Sequence, residues 1–264
     1  MCNIVSYSET MKKVKSVSRA IQILNCFSFE KPTLSLKEIS ELSNLSKPTV
    51  LRILRTFEEK EFIEKDKNGK YRLGLQIYKL GNIFFYNLDI ETIAEPYLKQ
   101  LANNTSKTVH LGVMDKDKAL ILDKIEPDEQ SIRIMMSRRG RNVPLHCTGI
   151  GKVLLAFQPY EKRKTLLEHM ELKKYTENTI IEKSKLEEEL NRIRQQGFGF
   201  DFEEHEKDIV CVAAPIKNIQ GNIIASISIT GILFQTPEDL LRNKLRQKVV
   251  DTAELISNKI GYMK

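Results

Sequence analysis

Residues 35–73 constrain this chain more than any other stretch, because two helix starts and a hairpin signal follow one another with little spare sequence between them. Ser35-Leu-Lys-Glu38 is a capping box, in which each side chain satisfies an orphan N–H of the other at a helix start. Leu36, Ile39 and Leu42 add a short apolar stripe. After Asn44 and Leu45 a second start falls at Ser46, with Pro48 in the first turn, where its missing N–H costs little. Val50, Ile53, Leu54 and Phe57 then recur at i, i+3, i+4 and i+7, the mark of a helix with one buried face. Two short helices joined by a tight turn predict a helix-turn-helix.

The other side of the second helix carries the chemistry. At about 100° per residue, Thr49, Arg52, Arg55 and Thr56 fall opposite Val50 and Phe57. Arg bonds a guanine edge bidentately in the major groove, and Thr reaches a thymine methyl or a phosphate. Ser46 and Lys47 stand at the helix N-terminus, where a phosphate meets free N–H groups. The competing reading is a solvated charged face. The next segment favours DNA: Phe62-Ile-Glu-Lys and Tyr71-Arg-Leu alternate like strands around Asn68-Gly69, a strong hairpin signal. Lys65, Lys67, Lys70 and Arg72 make that hairpin a basic wing. Upstream, Val17, Ala20, Ile21, Leu24 and Phe27 predict a supporting helix with Arg19 on its polar side. Arg52 is expected to read bases, and Lys67 and Lys70 to hold phosphate.

Charge is placed accordingly. Residues 1–90 hold 15 Lys+Arg against 10 Asp+Glu, an excess of +5, while the remaining 174 hold 27 against 25, an excess of +2. Most of the positive excess therefore lies in the first third, as in a nucleic-acid module joined to a near-neutral domain. No run approaches the roughly 18 apolar residues of a membrane span, and residues 1–10 lack a signal-peptide core. Cys2, Cys26, Cys147 and Cys211 show neither CxxC nor a disulfide framework, which points to a reducing cytoplasm.

The expected organisation is a disordered start over 1–13, a winged helix over 14–75, a linker helix over 76–90 and a second domain over 91–264. Gln76–Tyr86 is too apolar for a solvated linker; its Ile77, Leu80, Phe84 and Phe85 call for a partner surface. A helix is expected over Glu91–Asn103, with Pro96 either kinking it or marking its start. Strands are expected at Val109–Met114, Ala119–Lys124, Ser131–Met136, Ile209–Ile216 and Ile223–Thr230. Helices are expected from Gly149 through Leu155, near Glu161–Met170, from a Ser184/Glu187 capping box to Gly197, and as one terminal helix from Pro237 to Ile260. Strands grouped on either side of a helical middle predict an α+β domain with a mostly antiparallel sheet. The run Glu187-Glu-Glu with Arg192 and Arg194 reads as a solvated helix face.

Separate motifs in order point to one family. They are Ser16-Val-Ser-Arg-Ala-Ile-Gln-Ile-Leu, Leu45-Ser-Lys-Pro-Thr-Val-Leu-Arg-Ile-Leu and Tyr71-Arg-Leu-Gly, then Val109-His-Leu-Gly-Val and Val143-Pro-Leu-His-Cys-Thr-Gly-Ile-Gly-Lys. Gly197-Phe-Gly-Phe-Asp-Phe-Glu-Glu-His, Cys211-Val-Ala-Ala-Pro-Ile and Ser226-Ile-Ser-Ile-Thr-Gly complete the set. From about Val14 to Gly261 the chain resembles the isocitrate-lyase-regulator (IclR) family of bacterial transcription factors. The family often has Gly at the position of Asn44, and Asn tolerates the left-handed conformation too. The resemblance implies a winged helix-turn-helix joined to a GAF-like effector-binding domain, assembled as dimers or dimers of dimers. It also implies that small metabolites, often carboxylic acids, change the affinity for operator DNA.

Gly149-Ile150-Gly151 opens a helix, and free N–H groups at such a start suit a carboxylate; an ordinary glycine-rich helix entry is the competing reading. The resemblance places Gly149, Ile150, Asp201, Cys211, Ser228 and Thr230 around the effector. Ser228 and Thr230 share a strand face, with Ser226 beside them, because side chains repeat every second residue. Ile132, Met135 and Val143 form an apolar wall or, alternatively, plain strand core. Asp201 is expected to accept a hydrogen bond from an effector hydroxyl, which favours a hydroxy- or sugar-derived acid. His146 beside Cys147, and His205 near Cys211, lack zinc-type spacing. Neither cofactor nor metal is expected, and G-x-S-x-G, P-loop and H-E-x-x-H motifs do not occur. The expectation is a cytoplasmic, homo-oligomeric repressor of double-stranded operator DNA, with no membrane role, controlled by a small anionic metabolite such as a sugar acid or keto acid. The alternative is a metabolite-processing enzyme with an appended nucleic-acid module, using Cys211 or Asp201.

Overall fold

The computed structural model describes residues 14–28, 30–86, 89–127 and 137–261, and only the backbone of Asn82, Phe84, Phe85, Tyr86 and Asp89. The expected disordered start, the strand at 131–136 with Ile132 and Met135, and the side chains of Phe84 and Phe85 lie outside what is described. The chain divides between residues 87 and 88 into two compact units.

The first unit contains α1 (Lys15–Leu24), β1 (Thr33–Leu34), α2 (Leu36–Ser43), α3 (Lys47–Glu59), β2 (Ile63–Lys65), β3 (Tyr71–Leu73) and α4 (Leu75–Tyr86). Its antiparallel sheet runs β1-β3-β2. Both halves of the α2 capping box form: Ser35 N–H donates to Glu38 Oε2 at 2.8 Å and Glu38 N–H to Ser35 Oγ at 3.3 Å. Asn44 ends α2 in the left-handed region at φ 51°, and α3 starts soon after, with Ser46 in the N-cap position but without a side-chain cap bond. The wing closes with Gly69 alone at positive φ. Its N–H donates to Asp66 O at 3.1 Å, so this is a turn with a glycine bulge, not a two-residue Asn-Gly loop. Asp66 Oδ1 accepts from the N–H groups of Asn68 and Lys70 and sets the bend.

Ile23, Leu34, Ile39, Val50, Leu54, Ile63 and Tyr71 are the buried core of this unit. The expected buried face of α1 is corrected: Val17 and Ile21 are exposed, Ala20 is half-buried, and Ile23 is the core residue. Only the end of α1 reaches the core, where Ile23, Leu24 and Phe27 meet it. This leaves Val14, Val17 and Ile21 as an outward stripe at i, i+3 and i+7. Leu75, Tyr78 and Leu80 of α4 are also exposed.

The second unit begins with α5 (Asp89–Thr105), β4 (Thr108–Asp115), β5 (Lys118–Ile125) and β6 (Asn142–Pro144). It continues with α6 (Gly149–Ala156), α7 (Tyr160–His169), α8 (Lys183–Gln196), β7 (Gly199–Phe202), β8 (Ile209–Lys217) and β9 (Ile223–Ile232). The described strands form one antiparallel sheet, β6-β5-β4-β9-β8-β7. Pro96 sits inside α5, not at its start. The Ser184/Glu187 box does not form: α8 starts at Lys183 after Glu182, with no side-chain cap, and Lys183 Nζ donates to Glu168 O at 2.6 Å. The terminal helix runs without interruption from Glu238 to Lys259, as α9 (Glu238–Leu240), a π-helical turn over Leu241–Leu245 and α10 (Arg246–Lys259), with right-handed helical backbone at both junctions.

Helices α5 and α10 cover one face of the sheet; α6 covers the other, with α8 behind it. Strand β8 is therefore buried on both faces, so Ile209-Val-Cys-Val-Ala-Ala reads as a continuous apolar run. The chain is α+β, as its sequence pattern indicates. In the first unit, Leu54 of α3 is fully buried. Leu54→Ala is expected to cost about 2–5 kcal/mol, measured as a lower urea midpoint for that unit's unfolding transition.

Candidate functional site

On α3, Arg52, Arg55 and Thr56 are exposed and Thr49 is half-buried. Among the described residues, neither Arg52 nor Arg55 has an ion-pair partner. Thr49 Oγ1 and Ser46 Oγ lie 3.0 Å apart at the exposed N-terminus, beside Lys47. Arg19, Lys67 and Lys70 are exposed as well. Arg72 differs from the other wing cations: its Nε and Nη2 both donate to Glu64 Oε2, at 3.1 and 2.7 Å, across the hairpin. Lys65 lies 5.3 Å from the centre of the Tyr71 ring.

In the second unit a cavity of about 730 Å³ opens between α6 and the sheet. Register builds its floor. Asp201 on β7 pairs with Cys211 on β8, Cys211 pairs with Thr230 on β9, and Ser228 pairs with His110 on β4. Alternation then points all five side chains to one face of the sheet. The Cys211 Sγ to Thr230 Oγ1 distance is 3.3 Å, Thr230 Oγ1 to His110 Nδ1 is 3.2 Å, and His110 Nε2 to Ser137 Oγ is 2.8 Å. A line of polar groups thus crosses four neighbouring strands.

The opposite wall is the start of α6. Thr148 is its N-cap: the Gly151 N–H donates to its hydroxyl at 3.1 Å and the Lys152 N–H to its carbonyl at 2.8 Å. Among the described residues the N–H groups of Gly149 and Ile150 have no protein acceptor, so the free pair is Gly149 and Ile150, without Gly151. Val143 and Ile150, with Ile121 and Leu145, supply apolar lining. Ser226 shares the face but is buried outside the cavity, donating to Ala214 O at 3.0 Å. The structure therefore brings Val143, Gly149, Ile150, Asp201, Cys211, Ser228 and Thr230 together.

Sequence reasoning passed over His110, Ser137, Arg141 and Tyr175, which also line the cavity. For His110 a signal existed, since it alternates with Val109 and Leu111 on a strand. It also passed over Lys152, which is 1% exposed and pairs with Glu204 and, at 3.7 Å, with Glu189. Glu189 is thus no part of a solvated face; it turns inward beneath α6, and Arg192 bonds it at 2.8 Å.

Burial dominates the electrostatics. Desolvation, with the nearby Glu204 charge, pushes the Asp201 carboxyl up to about 7, against the pull of Lys152. Desolvation, helped by Lys124, pushes His110 down to about 3, and His205, by burial and the neighbouring His146, falls to about 4. Burial raises the Cys211 and Cys147 thiols. Both are protonated at neutral pH and poor nucleophiles. His146 and His205 flank the Tyr175 ring at 6.0 and 4.9 Å between centres. No cluster of three metal-ligating side chains occurs among the described residues, and none of their helices is long and apolar enough to cross a membrane.

Two family descriptions match the chain: "IclR helix-turn-helix domain" over residues 16–67 and "Bacterial transcriptional regulator IclR C-terminal" over residues 84–258. The HTH-type transcriptional regulator XynR of Escherichia coli (strain K12) is 33% identical over 253 residues, covering 96% of this chain and 99% of XynR. The regulator KdgR of the same strain is 34% identical over 250 residues, 94% of each chain. The crystal structure of the Thermotoga maritima IclR has a TM-score of 0.74 and 34% identity, over 95% of this chain and all (100%) of that one. A DNA-binding helix-turn-helix followed by a cavity-bearing antiparallel-sheet domain defines a transcriptional regulator. The chain belongs to the IclR family of bacterial transcriptional regulators.

The folded pKa of His110 is below its unfolded value of 6.5. The stability contributed by the neutral ring is therefore complete above pH 6.5 and lost as pH falls through about 3. The His110 ring resonance is expected not to titrate between about pH 7.5 and about pH 5, whereas an exposed histidine would. Heteronuclear NMR of the ring carbons checks this.

Proposed function

We propose that this protein is a repressor that binds palindromic operator DNA as a homo-oligomer and is controlled by a small anionic metabolite, such as a sugar acid or keto acid. The observation that carries the reading is the pair of free N–H groups of Gly149 and Ile150. They belong to a helix N-terminus facing a floor of hydroxyls in a cavity large enough for a metabolite. Amides at that position give a carboxylate charge-assisted bonds without a cation on the floor. Ser228 and Thr230 are placed for the oxygens on the remainder of the molecule. The enzyme alternative has the chemistry against it, since the Cys211 thiol is buried and held protonated.

On DNA, Arg52 reads bases with Arg55 and Thr49 beside it. Ser46, Lys47, Arg19, Lys67, Lys70 and, once released from Glu64, Arg72 meet the backbone. Arg52→Ala is expected to cost about 1–3 kcal/mol on the specific site and to relax preference. Lys67→Ala should instead weaken specific and random DNA alike and flatten the salt slope. Fluorescence anisotropy on both DNAs separates the two roles; equal losses for Arg52→Ala would remove it from base reading.

A single module reads only a short half-site. The outward Val14 at the N-cap of α1, Val17 and Ile21 within it, and Leu75, Tyr78 and Leu80 of α4 support burial against a second copy. An effector changes operator affinity only through its different affinities for two arrangements of that assembly. Ser228→Ala is expected to weaken effector-induced operator release by about 0.5–1.5 kcal/mol while leaving effector-free DNA binding intact. Operator release, in vitro transcription and sedimentation of the same preparation test the reading. A monomer at micromolar concentration, on and off DNA, would refute the homo-oligomer.

A further inference from the structure

Two parts of the cavity come closer than their sequence separation suggests. A Cβ built on Gly149 would lie 3.3 Å from Ala213 Cβ and 3.4 Å from Cys211 Cβ, so the start of α6 rests directly on β8. Cys211 is the registered partner of Asp201. A carboxylate held by the Gly149 and Ile150 amides therefore shares the cavity with the Asp201 carboxyl, which stands one strand from that close approach and is 3% exposed. Two carboxylates in so dry a site do not both stay ionised; one proton is shared between them.

Neighbouring charge does not relieve the conflict. From its own strand end, Glu204 donates its N–H to Asp201 Oδ1 at 2.8 Å and adds a second carboxyl nearby. From α6, Lys152 is the nearest cation, and its ammonium is already committed to Glu204 and Glu189. From β8, Cys211 is a neutral thiol; from β4, His110 is a neutral imidazole. His146 and Cys147 before α6, and His205 after β7, are also neutral near pH 7. Arg141 and Glu206, both half-buried, also line the cavity, and Arg141 acts on His205, whereas the charges that act on Asp201 are Glu204 and Lys152. Asp117, Lys118, His169, Glu171 and Lys173 line it with exposed side chains. The Thr230 hydroxyl and the Cys211 thiol can reorient as donors or acceptors, so a proton on Asp201 leaves no group on the floor without a partner.

We propose that a carboxylate effector enters this cavity together with one proton, taken up at Asp201, which makes the pocket a proton-linked anion receptor. The inference rests on the reading that the effector is an anionic metabolite. Asp201 then donates to the bound carboxylate and does not accept from a hydroxyl. Burial and the Glu204 charge hold the titration point of its free carboxyl well above the usual carboxylate range, and the bound effector raises it further. Affinity is therefore level below that point and falls by up to about tenfold per pH unit above it. The effector's own carboxyl, titrating below about 5, stays ionised over this range.

The test is isothermal titration calorimetry of the full chain with glycolate, pyruvate, D-gluconate and 4-hydroxybenzoate, between about pH 6 and about pH 8.5. Each titration is run in two buffers of different ionisation heat. For acids that bind, the dissociation constant is expected to rise at least about tenfold across the range, with close to one proton taken up at the alkaline end. Asp201→Asn should abolish both effects and bind at least as tightly as the natural protein at about pH 8.5, because its amide is a permanent donor. A pH-independent dissociation constant with no buffer dependence overturns the proposal while leaving the anionic-effector reading standing. Weaker binding by Asp201→Asn at every pH overturns it too, and returns Asp201 to a ligand hydroxyl. Should that variant not fold, the buffer dependence of the natural protein decides alone. If none of the four acids binds, the anionic-effector reading falls and this inference falls with it.

Discussion

At Gly149 the first turn of α6 lies against β8 so closely that a methyl group would meet Ala213 and Cys211 at the edge of van der Waals contact. Gly112 on β4 makes the same kind of room: a Cβ there would fall 2.8 Å from Ile150 Cγ2. These two close approaches seat one helix on the middle of a six-stranded sheet. They leave its N-terminal amides looking into the space between Val143 on one side and the Asp201, Cys211, Thr230 and His110 row on the other. The cavity is a consequence of this seating. A bulkier start to α6 would lift the helix and separate the amides from the polar row.

The same helix carries a buried charge cluster. Lys152 is held out of water between Glu204 and Glu189. A buried pair gains little net stability over an apolar equivalent, yet removing one partner costs about 3–5 kcal/mol because the other charge is left stranded. Its geometry explains its place: the pair joins α6, the end of β7 and α8. The Thr176 and Thr179 hydroxyls hold the same corner by donating to the carbonyls of Glu203 and Glu204, each at 2.6 Å. The exposed Arg72–Glu64 pair on the wing is different in kind, worth about 0–1 kcal/mol, and can exchange its carboxylate for another anion at little cost.

Much of the first unit was legible because its signals are local. The Ser35 capping box, the turn at Asn44, the Pro48 helix start and the Asn68-Gly69 hairpin each act within a few residues. The face of α1 was not legible: Val17, Ile21 and Leu24 have helical spacing whether the stripe meets this unit's core or points outward. The Ser184 start of α8 failed for a related reason. A capping motif competes with every neighbouring start, and Lys183, bonded to Glu168 of α7, wins here. In the candidate site, Ser228 and Thr230 were legible as a period-two pair on a strand. The inward turn of Glu189 was not, because a charged run on a helix looks solvated until its buried partner is known.

By itself the sequence determined the order and type of most elements, the basic character of the first unit and the alternation that puts Ser228 and Thr230 on one face of a strand. Those properties arise from interactions spanning a few residues, which a linear pattern records. Only the tertiary structure decided that Gly149 rests on Cys211, that Lys152 meets Glu204 across 52 positions of chain, and that Thr230 reaches His110 across 120. Such contacts depend on strand register and on how close two backbones come, and a one-residue slip in either would turn the polar row away from the cavity. The protonation states of Asp201 and His110 arise from the same packing, since they are set by exclusion of water and not by residue type.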